Sequence, residues 1–184
     1  MICRTGVMIN NNKKNKQTFS LWLIGPSASG KTTISKIVYK KLLEKYKSLV
    51  LLDGNYARKM FISKSGYDPI SRSKNIRKYI EVVKWLSSFG VSSIVAAINP
   101  FEKDRVVSRR ETANYKEVFL KCSLDERIKR DKKKLYLPAL NAKKKNVVGV
   151  DIPFEKPINA NLTIDTEKNQ PEFVADEILN KLKL

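Results

Sequence analysis

The sequence predicts an α/β fold, a parallel five-stranded sheet with helices on both faces and a lid segment. Two observations predict it. First, short apolar runs of strand length alternate with stretches of helical periodicity along most of the chain, a pattern that builds parallel sheets joined by right-handed crossovers. Second, Gly25-Pro26-Ser27-Ala28-Ser29-Gly30-Lys31-Thr32 reads G-x-x-x-x-G-K-[ST] and lies between a strand-like and a helix-like run, the context in which that pattern cradles phosphate.

The elements follow in order. Phe19-Ser20-Leu21-Trp22-Leu23-Ile24 is an apolar strand before the loop. Residues 32–43 place Ile34, Ile37, Val38, Lys41 and Leu42 on one helical face. Residues 48–52 form a buried-strand run ending in Asp53-Gly54-Asn55, residues 56–62 suit one or two helical turns, and 65–69 carry turn chemistry. A long helix is expected over 70–89, with Ile76, Ile80, Val83 and Leu86 at helical spacing and Gly90 as its stop. Residues 91–98 read as a strand broken by Asn99-Pro100, 104–114 as a helix, 117–122 as a strand and 124–134 as a charged helix. The lid spans about residues 132–157, and its stretch 135–157 reads as irregular, Lys-rich and interrupted by three prolines. A short strand at 161–165 and an amphipathic helix at 171–182 close a P-loop NTPase fold of the small kinase type.

At 184 residues the chain has one domain's length. The domain is expected over 19–184, with 1–18 as a disordered tail around an Asn/Lys tract. Residues 1–18 hold no continuous apolar run, so no secretory signal is expected there. No apolar run reaches the roughly 20 residues that cross a bilayer, so no membrane partner is expected. Cys3 and Cys122 lie far apart and histidine is absent, which removes the usual zinc-ligand spacings and the commonest general base. A reducing cytoplasm is the expected location. The net charge of +19 raises nucleic acid as a partner. However, the lysines are spread along the chain without an aromatic-interleaved stripe or a nucleic-acid motif. The reading is therefore no nucleic acid, with polyanionic small molecules as the partners.

Chemistry assigns the first roles. Glycines let the backbone turn its N–H groups around an anion, and the following helix adds the positive end of its dipole. Gly25, Pro26, Ser27, Ala28, Ser29, Gly30, Lys31, Thr32 and Thr33 are the candidate ATP-binding residues. Lys31 would reach the β- and γ-phosphates, and the Thr32 hydroxyl would take a place on Mg²⁺. Asp53 follows a strand's carboxyl end, where ligands sit in open α/β sheets. It is a candidate catalytic carboxylate and Mg²⁺ partner, although aspartate there also suits a helix N-cap.

Further motifs then accumulate in one order. Leu52-Asp53-Gly54-Asn55-Tyr56-Ala57-Arg58, Ser65-Gly66-Tyr67, Ser71-Arg72-Ser73-Lys74-Asn75-Ile76-Arg77, Ile98-Asn99-Pro100-Phe101 with Arg105 and Arg109, Arg130-Asp131-Lys132-Lys133-Lys134-Leu135-Tyr136, and Gly149-Val150-Asp151-Ile152-Pro153-Phe154-Glu155-Lys156-Pro157 together resemble the adenylylsulfate (APS) kinase family over about residues 19–182. The resemblance implies transfer of the γ-phosphate of ATP to the ribose 3′-hydroxyl of a nucleotide, APS above all, with ATP and Mg²⁺ as cofactors and a homodimer. It implies that Asp53 orients the attacking hydroxyl, and that Arg58 and Arg72 grip the acceptor's anionic end. Asn75 would hydrogen-bond the acceptor, Tyr67 would stack on its base, Ile98 and Val147 would line its site, and Lys133 would act as a lid lysine. A solvated surface is the alternative for any one lysine of 132–134.

Several positions depart from the family pattern. Val147 stands where a second aromatic would complete a sandwich around adenine. Asn55 stands for an aspartate, Asn99 for the serine of I-S-P, Lys134 for a glycine, and Leu137 and Pro138 for two lysines. The donor half is intact and the acceptor half altered. Acceptors other than APS therefore stay open, the cytidine diphosphoramidate of capsule modification among them, because a smaller pyrimidine tolerates Val147. A non-catalytic nucleotide-binding protein is the reading from another class, opposed by the intact Lys31, Thr32, Asp53, Arg58 and Arg72.

Overall fold

Alternate residues of a strand point to opposite faces, so a strand covered on both sides must be apolar or internally hydrogen-bonded at every position. Ser20–Ile24 (β1) is buried at all five positions and apolar at four, and the Ser20 hydroxyl donates to Thr112 Oγ1 at 3.0 Å. Leu21 and Leu23 pack with Ile34, Val38 and Leu42 of α1 (Lys31–Leu43) and with Val174 and Ile178 of α7 (Pro171–Leu182). Trp22 and Ile24 pack with Ile76, Ile80 and Val83 of α3 (Pro69–Ser88) on the other face. The structure is a computed structural model describing residues 18–60 and 66–184, the side chains of 59 and 60 excepted. The tail tract, Cys3, Ser65 and the end of the 56–62 helix lie outside the described residues.

The order is β1, α1 (Lys31–Leu43), β2 (Leu49–Asp53), α2 (Gly54–Met60), α3 (Pro69–Ser88), β3 (Ser92–Ala97), α4 (Glu102–Glu111), β4 (Tyr115–Lys121), α5 (Leu124–Lys129), α6 (Tyr136–Leu140), β5 (Leu162–Asp165) and α7 (Pro171–Leu182). The five strands lie β2-β3-β1-β4-β5, and every pairing is parallel. Register aligns Asp53 with Ala96, and Ile24 with Ala97 and Phe119. The strands therefore end along one edge. The chain leaves β1 toward β2 and later crosses to β4 on β1's other side, so the loop after β1 lies at the switch point where open sheets bind ligands.

The expected elements form, with two differences. The charged helix after β4 stops at Lys129 rather than 134, and the lid stretch expected to be irregular contains α6. Asp131 accepts hydrogen bonds from the backbone N–H of Leu135 and, at 2.8 Å, of Tyr136, which opens α6. Pro138 sits third in α6, where its missing N–H would have had no helical partner. Among the described residues no helix is long and apolar enough to cross a membrane.

Leu21 is fully buried between β1 and the α1/α7 layer. Leu21→Ala is expected to cost about 2–5 kcal/mol of stability, measured by urea denaturation.

Candidate active site

The loop after β1 is shaped by two glycines. Gly25 has φ +151°, and a Cβ there would lie 2.8 Å from the Leu120 carbonyl oxygen and 2.7 Å from Ser29 Oγ. Gly30, at φ +87°, is the N-cap of α1 and supplies no side-chain cap. The first N–H groups of α1 thus stay open to an anion, and no acidic residue occupies its first turn. Ala28 also has a positive φ, 60°. Ser29 is fully buried, and its carbonyl accepts a 3.4 Å hydrogen bond from Thr166 Oγ1 at the end of β5. Thr33 is exposed.

Lys31 folds back over this loop and donates to the Pro26 carbonyl and, at 3.4 Å, to Ser29 Oγ. Desolvation of its ammonium pulls the Lys31 pKa down to about 7, against the opposing pull of Asp53, while Lys133 and Arg127 add cationic repulsion. The residue keeps some surface exposure; its charged end is what lies buried.

Asp53 ends β2 and is 5% exposed. Its Oδ2 accepts a 2.6 Å hydrogen bond from the Thr32 hydroxyl, and its Oδ1 accepts from the Asn55 N–H at 2.8 Å. Asp53 thus steadies the first turn of α2 and meets the loop before α1. Thr32 and Asp53 together offer hard oxygen donors, the set Mg²⁺ prefers. Asn55 accepts a 2.5 Å hydrogen bond from Lys133 Nζ, which joins the segment before α6 to the first turn of α2.

Arg58, Tyr67 and Arg72 meet beside this edge. The Arg58 guanidinium lies 4.6 Å from the Tyr67 ring centre and donates to the Gly66 carbonyl at 3.0 Å. Arg72 lies 5.8 Å from the same ring and donates to the Asn146 carbonyl at 2.7 Å. Tyr67 itself is 60% exposed. Burial, then the charge of Arg58, lower the Arg72 pKa to about 10. Arg72 Nε and both amide atoms of Asn75, one turn further along α3, are buried without hydrogen-bond partners. Asn99, at φ +41°, has both amide atoms in the same condition. Unpaired buried donors and acceptors are costly, and a bound polar ligand would relieve them.

Ile98 packs against the cluster of Phe101, Val148 and Ile152, as does Phe154. The segment Val147–Asp151 turns back on itself, with Asp151 accepting from the Asn146 and Val147 N–H groups. The Val147 side chain packs with Tyr136 and Ala139 of α6. The structure thus groups Lys31, Thr32, Asp53 and Lys133 at the loop, and Arg58, Tyr67, Arg72 and Asn75 along α2 and α3. Val147 stands with the lid helix and Ile98 with the loop after β3.

Sequence reasoning passed over three residues that hold this arrangement. Tyr136 is fully buried; its hydroxyl donates to the Ser27 carbonyl of the phosphate loop at 2.8 Å and accepts from Arg127 at 2.8 Å. Arg105, also fully buried, clasps the Asn99 and Glu155 carbonyls at 2.9 and 2.8 Å. Tyr136 and Arg105 belong to motifs recognised in the sequence, but a motif does not say what its members touch. For Arg127 no local signal exists.

A family model described as adenylylsulphate kinase matches residues 17–165. The chain belongs to the adenylylsulphate kinase family. It is 39% identical to a cytidine diphosphoramidate kinase of Campylobacter jejuni, over 90% of this chain and 97% of that one. It is 36% identical to a probable adenylyl-sulfate kinase of Archaeoglobus fulgidus, over 83% of this chain and 98% of the relative. Among solved structures, an APS kinase of Mycobacterium tuberculosis in complex with AMPPNP and APS superposes with a TM-score of 0.84 at 28% identity, covering 91% of this chain and 99% of that one. As a member of this family the chain is an ATP-using kinase, a phosphotransferase with an alcohol group as acceptor.

A phosphate bound over Lys31 would favour its protonated form, raising its pKa above the value of about 7 that burial gives it. ATP binding above neutral pH should therefore take up a proton, and affinity should fall with rising pH, approaching about tenfold per unit until the bound-state pKa is reached. Calorimetry between pH 7 and 9, in buffers of different ionisation heat, would show the uptake, and Lys31→Ala would remove it.

Proposed function

We propose that this kinase transfers the γ-phosphate of ATP to the ribose 3′-hydroxyl of a nucleotide with an anionic tail, adenosine 5′-phosphosulfate being the acceptor. The observation that carries the reading is the 2.6 Å contact between Thr32 of the phosphate loop and Asp53 at the end of β2. It places a carboxylate beside the helix that receives the donor phosphates. In the transfer, the bond between Pγ and the β-bridging oxygen breaks as one from the 3′-oxygen forms. Asp53 orients the hydroxyl and accepts its proton. Lys31 and the N–H groups of Gly30 to Thr33 hold the phosphate oxygens as charge moves toward the leaving ADP.

Thr32 and Asp53 would hold Mg²⁺, which would neutralise charge on the β- and γ-phosphates. Arg58 and Arg72 bind the acceptor's anionic end through planar forks suited to phosphate and sulfate. Tyr67 stacks on the base, and Asn75 supplies the amide partner. Lys133, now on Asn55, is near enough to Lys31 to repel it, and this supports its turning to the donor phosphates. Ile98 and Val147 line the acceptor side from the loop after β3 and from the lid.

A second acceptor, cytidine diphosphoramidate, is favoured by one observation. Val147 is drawn into the lid cluster, leaving Tyr67 to stack on the base without a second aromatic at that position. The Campylobacter jejuni relative, named for that substrate, adds to it.

ADP release is to be measured with APS and cytidine diphosphoramidate in parallel. Turnover of APS supports the first reading; turnover of the cytidine compound alone replaces it with the second. No turnover with either, despite ATP binding, overturns both in favour of a non-catalytic nucleotide-binding protein. With the active acceptor, Lys31→Ala is expected to lower kcat by about 10²–10³-fold or more.

A further inference from the structure

Arg127 sits on α5, 7% exposed. A buried guanidinium is normally matched by a carboxylate, yet the acid beside it, Glu126, is taken by Arg130 at 2.7 Å and Lys129 at 3.5 Å. Among the described residues Arg127 has no salt bridge. Its Nε donates to the Ser123 carbonyl at 3.1 Å and its Nη1 to the Tyr136 hydroxyl at 2.8 Å. A guanidinium carries five N–H donors, so most are left without a protein acceptor. Space has been kept for the group. Gly149 of the lid has φ +89°, and a Cβ there would lie 2.6 Å from Arg127 Nη1 and 3.2 Å from Nη2.

The position is the phosphate side of the molecule. The Tyr136 hydroxyl that accepts from Arg127 donates in turn to the Ser27 carbonyl, so one hydroxyl separates the guanidinium from the phosphate loop. Arg127 is also close enough to Lys31 to repel its charge. We propose that Arg127 is a further ligand of the ATP polyphosphate, a guanidinium held at the rim of the loop without an acid of its own so that the donor's phosphate oxygens become its counter-ion. This rests on the reading of Gly25–Thr32 as a phosphate loop.

The competing account is that Arg127 only braces Tyr136 beneath the lid. The two differ in whether the charge or the hydrogen bond matters. Arg127→Gln removes the charge, Arg127→Lys keeps it, and Tyr136→Phe removes the brace alone. Binding of inorganic tripolyphosphate and of adenosine to the full chain, with melting temperature as a check on folding, separates them. Arg127→Gln is expected to weaken tripolyphosphate binding about tenfold or more, as for loss of a charge-assisted phosphate contact, and to leave adenosine binding at its wild-type level. Arg127→Lys should keep tripolyphosphate affinity within about threefold, since charge outlasts the lost fork geometry, and Tyr136→Phe should lose less than Arg127→Gln. In turnover the KM for ATP should rise while the KM for the acceptor stays.

Wild-type tripolyphosphate affinity in Arg127→Gln, or equal losses in Arg127→Gln, Arg127→Lys and Tyr136→Phe, would overturn the proposal and leave the phosphate loop standing. Failure of the wild-type protein to bind tripolyphosphate would overturn the loop reading and this proposal with it.

Discussion

The catalytic edge depends on a close approach of backbone to backbone. Where β1 gives way to the phosphate loop, Gly25 passes so near the Leu120 carbonyl of β4 that a Cβ would lie 2.8 Å from it. Any side chain would push the loop off the end of the sheet. The near contact lets the chain turn at once into α1 and aim the open N–H groups of that helix back across the strand ends. Thr32 then reaches Asp53, Ser29 is tied to Thr166, and Ser27 to Tyr136. The sheet supplies rigidity, and the glycine lets the loop lie against it.

Around this frame the protein assembles more positive charge than it neutralises. Lys133 and Arg127 both lie near Lys31, where Asp53 is the carboxylate that offsets them; Arg58 and Arg72 lie together beside Tyr67. Burial of these groups is costly, and their mutual repulsion adds to the cost. The depressed pKa values of Lys31 and Arg72 express that cost. A cluster built this way favours anions, because a negatively charged ligand would relieve repulsion that the folded protein otherwise carries.

Much of this was legible in the sequence, for a local reason. The strands and α1, α3 and α7 declare themselves by periodicity, and the phosphate loop by residues that a continuous stretch of backbone requires. Asp53 was legible because a carboxyl-terminal strand end is a known place. What stayed hidden depends on pairs far apart in the chain. Tyr136 meets Ser27 across 109 residues and Lys133 meets Asn55 across 78, and nothing in the spacing of either announces the other. Helix α6 was missed because Pro138 reads as a breaker, although at the third helical position it breaks nothing. Arg127 looked like one more charge on a solvated helix, and only burial distinguishes it from its neighbours.

The seating of the lid on Asn55 has a consequence for how the lid responds to its surroundings. With a carboxylate at that position, Lys133 would be held by an ion pair, which dissolved salt screens. A carboxamide holds the same ammonium through a charge–dipole contact that falls off quickly with distance and feels ionic strength far less. The contact between Lys133 and Asn55 is thereby little affected by the salt concentration of the medium.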